Sequence, residues 1–488
     1  MSTKMTRRFF IGGAAALGAF GGCRLFKTDS VFRAGDKPRL KFGVVSDVHI
    51  IWGNSQVFVH TLEYFRDNGA DAVMICGDIA DIGLVSDLEA VAAAWEKVFP
   101  GNRAPDGRHV EKVFVTGNHD WVGHKYGNAV KKKYPDPKDF ARNVFQTDPK
   151  GNWERIFNEP YSPVFIKDVK GYKFVGANWV QNDCNGRCEK FNPFIGKFYE
   201  GHAKEFDPSL PFFHAQHPHP KDTCYGPWAW GRDDGGSTAA LRKFANAIAF
   251  SGHSHYPLTD ERTVWQGDFT SIGTSSLSYS AATDEQWPAP GYDNYSNGDD
   301  VKVMPRLSTR DGKHGMLLSV YDDAIAISRR EFVTDQPLGG DWVMPLPAAE
   351  SKPFAYVERA KRDTAPSFAE GASVAVGRGK GKTRGNSRKK ILPVEKDVYT
   401  LRFPAALSTD KTRAHEYELT FIGGDGKKAV RRLVAPGFHL PASSRRATEE
   451  VKCSIVADKL PAAPFKVEVR ALSSFLKAGA PITGAFAD

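Results

Sequence analysis

Apolar and polar positions alternate in blocks along the first quarter of the chain. Leu40-Lys41-Phe42-Gly43-Val44-Val45 reads as a strand that stops at Ser46-Asp47. Residues 55–68 set Val57, Phe58, Leu62 and Phe65 on one face of a helix, with Gly69 as its stop signal. A second apolar run, residues 72–76, enters Gly77-Asp78, and a second amphipathic helix over 86–98 halts at Pro100. A third strand, residues 112–115, enters Gly117-Asn118-His119-Asp120. Strand, helix, strand, helix, strand predicts an α/β sheet with its working loops at the carboxyl ends of the strands. Each polar cluster falls at such an end.

Beyond Trp121 the pattern loosens. It predicts a helix over 138–146, strands near 164–166, 172–177 and 210–216, a helix over 239–247, and a strand entering Gly252-His253-Ser254-His255. Short strands at 269–272 and 316–321 carry this domain to about 347. From 351 on, strand-like runs (398–403, 416–422, 451–456 and 465–471) alternate with turn clusters such as Gly423-Gly424-Asp425-Gly426, with no helical periodicity. The expectation is an α/β domain over 38–347 and an antiparallel β-sandwich over 351–488. The run from Phe465 to Phe475 resembles the penultimate strand of a fibronectin type III-like module.

A length of 488 residues agrees with two folded domains. The net charge of +9 changes the picture little, because seven basic residues and no acidic one crowd into 378–390. That Gly-rich stretch reads as a solvated mobile loop, and no aromatics interleave there for nucleic-acid stacking. Outside the N-terminus no stretch nears the ~20 apolar residues of a spanning helix.

Thr6-Arg7-Arg8-Phe9-Phe10-Ile11 precedes a short Ala- and Gly-rich apolar run, which reads as a targeting segment. It resembles a twin-arginine export signal, and Cys23 after Gly21-Gly22 resembles a lipobox, with Phe20 where an aliphatic residue is usual. The implied location is the periplasm or cell envelope, with or without a lipid anchor on Cys23. Cys76 reads as a small buried hydrophobe, while Cys184, Cys188 and Cys224 lie where one disulfide is permitted; no C-x-x-C zinc motif occurs.

The polar clusters form an ordered set: Asp47-x-His49, Gly77-Asp78-x-x-Asp81, Gly117-Asn118-His119-Asp120, His217, and Gly252-His253-x-His255. In this order, each after an apolar strand, they resemble the calcineurin-like metallophosphoesterase family over about residues 40–330. The resemblance implies mixed β-sheets flanked by helices and a two-metal hydrolase of phosphomonoesters or phosphodiesters. Two divalent ions roughly 3.5–4 Å apart acidify a bridging water and clamp the phosphoryl oxygens.

By the same resemblance Asp78 bridges the ions, one oxygen to each. Asp47, His49 and His255 complete one site; Asn118, His217 and His253 complete the other. His119 is implied as proton donor to the leaving alkoxide with Asp120 orienting it, and Asp81 as a hydrogen-bonded support. Among the neighbouring histidines, His214 reads as a core residue and His219 as a candidate substrate contact. Mixed oxygen and nitrogen donors suit Mn²⁺, Fe²⁺ or Zn²⁺. His49 and Asp81 stand where purple acid phosphatases carry Gly and Tyr, so no tyrosinate–iron site is expected.

Trp121, His124, Tyr225, Trp228 and Trp230 flank the metal loops as substrate contacts or as aromatic packing. A contrasting reading is an envelope binding protein whose sandwich docks a polymer and whose phosphoesterase domain is inactive. The full set of seven ligands with His119 favours the enzyme.

Overall fold

The computed structural model describes residues 37–51, 53–121, 127–180, 191–224, 233–282, 302–303, 307–384, 393–409, 412–444 and 449–487. The targeting segment with Cys23, the residues Cys184, Cys188, His124, Tyr225, Trp228 and Trp230, and basic residues 388–390 lie outside the described residues.

β1 (Leu40–Val45), α1 (Gln56–Asp67), β2 (Ala72–Cys76), α2 (Val85–Val98) and β3 (Glu111–Val115) follow the expected alternation. Next come α3 (Gly127–Lys133), α4 (Pro137–Asn143), α5 (Pro149–Phe157), β4 (Val164–Val169) and β5 (Tyr172–Ala177). α6 (Ile195–His202), β6 (Phe212–Ala215), α7 (Gly236–Leu241), β7 (Ala247–Ser251), β8 (Val264–Gln266) and β9 (Thr270–Gly273) continue the chain. β10 (Ser280–Ala282), β11 (Lys302–Val303), β12 (Leu307–Thr309), β13 (His314–Val320), β14 (Ala324–Glu331), β15 (Gln336–Pro337) and β16 (Trp342–Pro345) follow.

Two mixed sheets stack face to face. In the first, β1, β2 and β3 are parallel, and β13 and β14 add antiparallel on the other edge of β1. The second runs β4-β5-β6-β7-β9-β8. Alternate side chains explain the continuous apolar strands: Phe42, Val44, Met74 and Cys76 face Phe174, Phe213 and Phe250 between the sheets. Val45, Val73 and Ile75 face Leu62, Phe65, Leu88 and Trp95 of α1 and α2. Both faces of β1 and β2 are therefore covered, as a parallel core demands.

Two helices differ from the periodicity. α4 stops at Asn143, and α7 ends at Leu241 because the chain turns there, with the N–H of Phe244 bonding back to Leu241. Ala247 thus belongs to β7 and not to a helix face.

The rest of the chain holds α8 (Tyr356–Arg362), β17 (Ala375–Arg384), β18 (Pro393–Pro404), β19 (Glu416–Gly423), β20 (Lys428–Val434), β21 (Glu450–Val456), β22 (Phe465–Leu472) and β23 (Ile482–Phe486). Sheets β17-β18-β21 and β11-β20-β19-β22-β23 enclose Leu401, Phe403, Leu419, Phe421, Val467 and Val469. Two expectations are corrected here. Residues 375–384 form a strand where a loop is expected, because the basic side chains alternate with Gly at period two. Lys380 Nζ lies 2.7 Å from Asp397 Oδ1 of β18. α8 forms without an apolar stripe, because the Arg359 guanidinium is buried against Phe354, Trp342 and Phe475 and ion-paired to Glu261.

The sandwich is joined to the first domain through buried polar contacts. His314 Nδ1 accepts the Leu258 N–H at 3.1 Å, and its Nε2–H donates to His439 O at 3.0 Å. Thr259 Oγ1 donates to Phe438 O at 2.6 Å. Burial, with His439 adding nearby positive charge, pulls the His314 imidazole from its ordinary 6.5 to about 3. His415, buried beside Arg262, is likewise pulled to about 3.

Both rings are neutral in the fold, whereas the unfolded chain protonates them below about 6.5. Their stabilisation is complete above that pH and is lost as the pH falls toward 3. Urea midpoints should therefore drop steadily from pH 6.5 to 4. A His314→Gln variant, weaker at pH 7.5, should show a shallower acid decline; an unchanged slope would reject the assignment.

Candidate metal centre

Seven side chains from five loops, Asp47, His49, Asp78, His119, His217, His253 and His255, converge at the carboxyl ends of β1, β2, β3, β6 and β7. Three overlapping sets place one donor atom of each member within 4.8 Å of the others: Asp47, His49 and His255; His49, Asp78 and His119; Asp78, His217 and His253. The backbone there is unusual. Asp47, His49, Asp78, His253 and His255 all have positive φ, between 46° and 71°. Left-handed backbone at Asp or His costs of order 1–3 kcal/mol and is held where surrounding structure imposes it. That five such residues share one centre argues that the strain serves the centre.

Close approach is secured by glycine. Gly77 has φ +88°, and a Cβ there would overlap the His217 ring; at Gly252 a Cβ would overlap Ser46 Oγ and Asp47 Oδ2. These contacts bring the loops after β2 and β7 onto their neighbours.

Each central carboxylate is divided between anchoring and presentation. Asp47 Oδ2 accepts the His253 N–H at 3.0 Å and lies 2.5 Å from Ser46 Oγ. Its Oδ1 lies 2.9 Å from His255 Nε2 and 3.7 Å from His49 Nε2. Asp78 Oδ1 accepts the His119 N–H at 2.8 Å, while Oδ2 lies 3.1 Å from His217 Nε2 and 3.7 Å from His49 Nε2. Asp78 thus lies against both His217 and His49 through Oδ2, while Oδ1 holds the His119 N–H.

The histidine tautomers follow from acceptor-only partners. His49 Nδ1–H donates to Asp81 Oδ1 at 2.8 Å, His217 Nδ1–H to Cys76 O at 2.9 Å, and His255 Nδ1–H to Tyr279 O at 3.0 Å. Their Nε2 atoms are left facing the centre. His49 Nε2 and His255 Nε2 lie only 3.3 Å apart, a spacing that a shared proton or cation between them favours. Asn118 Oδ1 is buried without a hydrogen-bond partner. Such a set lacks a positive charge at its middle.

The electrostatics agree. Burial opposes charge on His49 and His217, yet the carboxylates raise them to about 10 and about 9. Burial alone would raise Asp47 and Asp78 too, but the imidazoles hold both well below the usual carboxylate range. The centre draws in protons in the way that it would hold cations. The donor sets of Asp47, His49 and His255 and of Asp78, His217 and His253 thus fit divalent metal ions.

His119 joins the same centre. Its side chain is 23% exposed, against 1% for His49 and 0% for His217. Its Nδ1–H donates to the backbone O of Asp81 at 2.7 Å. Burial lowers its imidazole, against the attraction of Asp78. The orienting role expected of Asp120 is not what its carboxylate does. Asp120 is fully buried and accepts N–H groups from Gly117 (2.7 Å), Ala80 (2.7 Å) and Ile79 (3.2 Å). Burial and the nearby Asp78 raise it to about 7 despite those bonds. It fastens the loop after β3 to the loop after β2.

His214 is a core residue between Tyr199 OH and Gln216 Oε1, both at 2.9 Å. His219 is 3% exposed and held by Ser251 Oγ and Ser254 Oγ, so it does not face substrate as expected. Trp121 packs against Phe145. The Cys224 thiol is free and donates to Thr263 O, so it joins no disulfide. Tyr279, whose ring lies 4.0 Å from that of His255, and Trp179, 6.2 Å from His217, were missed. Trp179 stands just past the end of β5, where the strand-end rule would have pointed; Tyr279 carries no local signal.

Residues 40–257 match the family described as calcineurin-like phosphoesterase. No curated protein matches the chain significantly. Among solved structures, a dimetal phosphatase from Danio rerio is 12% identical with a TM-score of 0.38, over 63% of this chain and 99% of that one. Plasmodium GAP50, an anchor in the inner membrane complex, is 12% identical with a TM-score of 0.35, over 63% and 88%. Entamoeba histolytica Vps29 complexed with Zn²⁺ is 11% identical with a TM-score of 0.28, over 63% and 99%. Residues 40–257, which carry the gathered strand-end loops, thus match a calcineurin-like phosphoesterase domain.

Proposed function

We propose that this protein hydrolyses phosphomonoesters or phosphodiesters at a two-cation centre held by Asp47, His49, Asp78, Asn118, His217, His253 and His255. The observation that carries this reading is the approach of His49 Nε2 and His255 Nε2 to 3.3 Å beside Asp47 Oδ1. When bound, the cations supply Lewis-acid charge for the phosphoryl oxygens and a hydroxide near neutral pH.

The protein's own residues supply position and a proton. Asp81 fixes His49 through its carboxylate and His119 through its carbonyl, so one residue aligns a ligand and the candidate acid. His119 is one of two partly accessible imidazoles of the group, with His253, and a bound phosphate raises its proton affinity. It then protonates the departing alkoxide.

Hydrolysis of nitrophenyl phosphate and of its bis-ester, with Mn²⁺ added after chelation, tests the reading and separates monoesterase from diesterase. His119→Ala should lower kcat by ~10²–10⁴-fold on an alkyl phosphate and by less on nitrophenyl phosphate, whose leaving group needs no proton. Equal losses on both would remove His119 from the acid role. Absence of turnover across Mn²⁺, Fe²⁺ and Zn²⁺ would refute the function.

A further inference from the structure

A cavity of about 120 Å³ opens beside the metal centre, with His49 on one wall and Asn54, Phe58, Leu277, Arg310 and Lys313 around it. Its floor is apolar, from Phe58 and Leu277. Its two cations stand together: the Lys313 ammonium is lowered by burial and then by the Arg310 guanidinium, against the pull of Glu331. Lys313 Nζ donates to Leu277 O at 3.4 Å, and among the described residues neither cation forms an ion pair.

The intervening Asp311 does not neutralise them. Its carboxylate is bonded by Thr309 Oγ1 and lies 2.8 Å from His439 Nε2 of the sandwich. Ser280 Oγ donates to Gly312 O at 3.0 Å, so the whole turn from Thr309 to Lys313 is fixed. Arg310 is exposed and Lys313 half-buried at the cavity wall, and two like charges beside an apolar floor are mutually unfavourable until an anion joins them.

We propose that this cavity is an anion subsite for a second acidic group of the substrate, so that the enzyme prefers phosphate esters whose alcohol portion carries a carboxylate or a further phosphate. The inference rests on the phosphoesterase reading, because His49 is the wall shared by cavity and centre. The cavity has room for a carboxylate or phosphate group. Arg310 offers the planar fork suited to such oxyanions, and Lys313 adds a point charge.

The test compares ω-carboxyalkyl phosphates of two to four carbons with plain alkyl phosphates of equal length, using the full chain with Mn²⁺. Hydrogen bonds to charged groups contribute about 1.5–3 kcal/mol, which corresponds to a preference in kcat/KM of ~10–100-fold for one carboxylate ester. Arg310→Gln with Lys313→Gln should erase that ratio through KM, and Arg310→Lys should restore part of it.

Binding of the matching carboxyalkyl and alkyl phosphonates, measured by calorimetry, should give the same ordering without turnover. A wild-type protein indifferent to the carboxylate, or a preference surviving both substitutions, would overturn the subsite. Relief of inhibition by inorganic phosphate in the double variant, without any ester preference, would assign the cavity to a free anion and overturn it equally. Failure to hydrolyse any ester would strike the phosphoesterase reading itself, and the inference with it.

Discussion

Asp78→Ala is expected to lose both cations together. Its Oδ2 is the one oxygen that faces His217 and His49 at once, while its Oδ1 holds the backbone of His119. Elemental analysis after gel filtration should find neither position loaded. Activity on nitrophenyl phosphate should fall by ~10³-fold or more, since metal polarisation of a phosphoryl oxygen contributes several kcal/mol. Asp47→Ala provides the contrast. It removes a donor from one cluster only and should leave the cluster of Asp78, His217 and His253 able to retain an ion. A fully loaded Asp78→Ala protein would show that the carboxylate bridges nothing.

Asp120→Ala is expected to act on stability before it acts on chemistry. The substitution leaves the N–H groups of Gly117, Ala80 and Ile79 buried without an acceptor. At roughly 1–3 kcal/mol for each orphaned group, the loss should be about 3 kcal/mol or more, a large share of a total usually about 5–15 kcal/mol. The urea midpoint should drop accordingly, and Asp120→Asn, which keeps one acceptor oxygen, should recover part of it. If Asp120 served His119 instead, Asp120→Asn would reduce kcat and leave the midpoint in place.

This contrast marks what could be read from the chain and what could not. The ligands were legible because each lies two to four residues past an apolar strand, and parallel strands gather such ends at one edge. The pairing of His119 with Asp120 was not legible. Adjacent residues diverge along the backbone, and here one turns to Asp81 O while its neighbour turns inward to three N–H groups.

Local signals also went unread. Asp136-Pro137 and Asp148-Pro149 start α4 and α5, with the aspartates accepting the N–H of Lys138 and Gly151. Arg310 and Lys313 could not be placed beside His49 from sequence, because some 260 residues separate them and only the pairing of β1 with β13 brings them together. The alternation of basic residues with Gly in β17 was visible but was outweighed by its composition.

The left-handed turns at Asp47, His49, Asp78, His253 and His255 bear on how the centre is loaded. Those turns are imposed by the sheets and by contacts such as that of Gly77 with His217, which form as the chain folds. The donors are consequently wound into place before any ion arrives, unlike a small metal-folded finger that takes shape around its zinc. Uptake and release become exchanges at a finished socket, and a chelator should strip the ions while the circular dichroism of the folded protein stays unchanged.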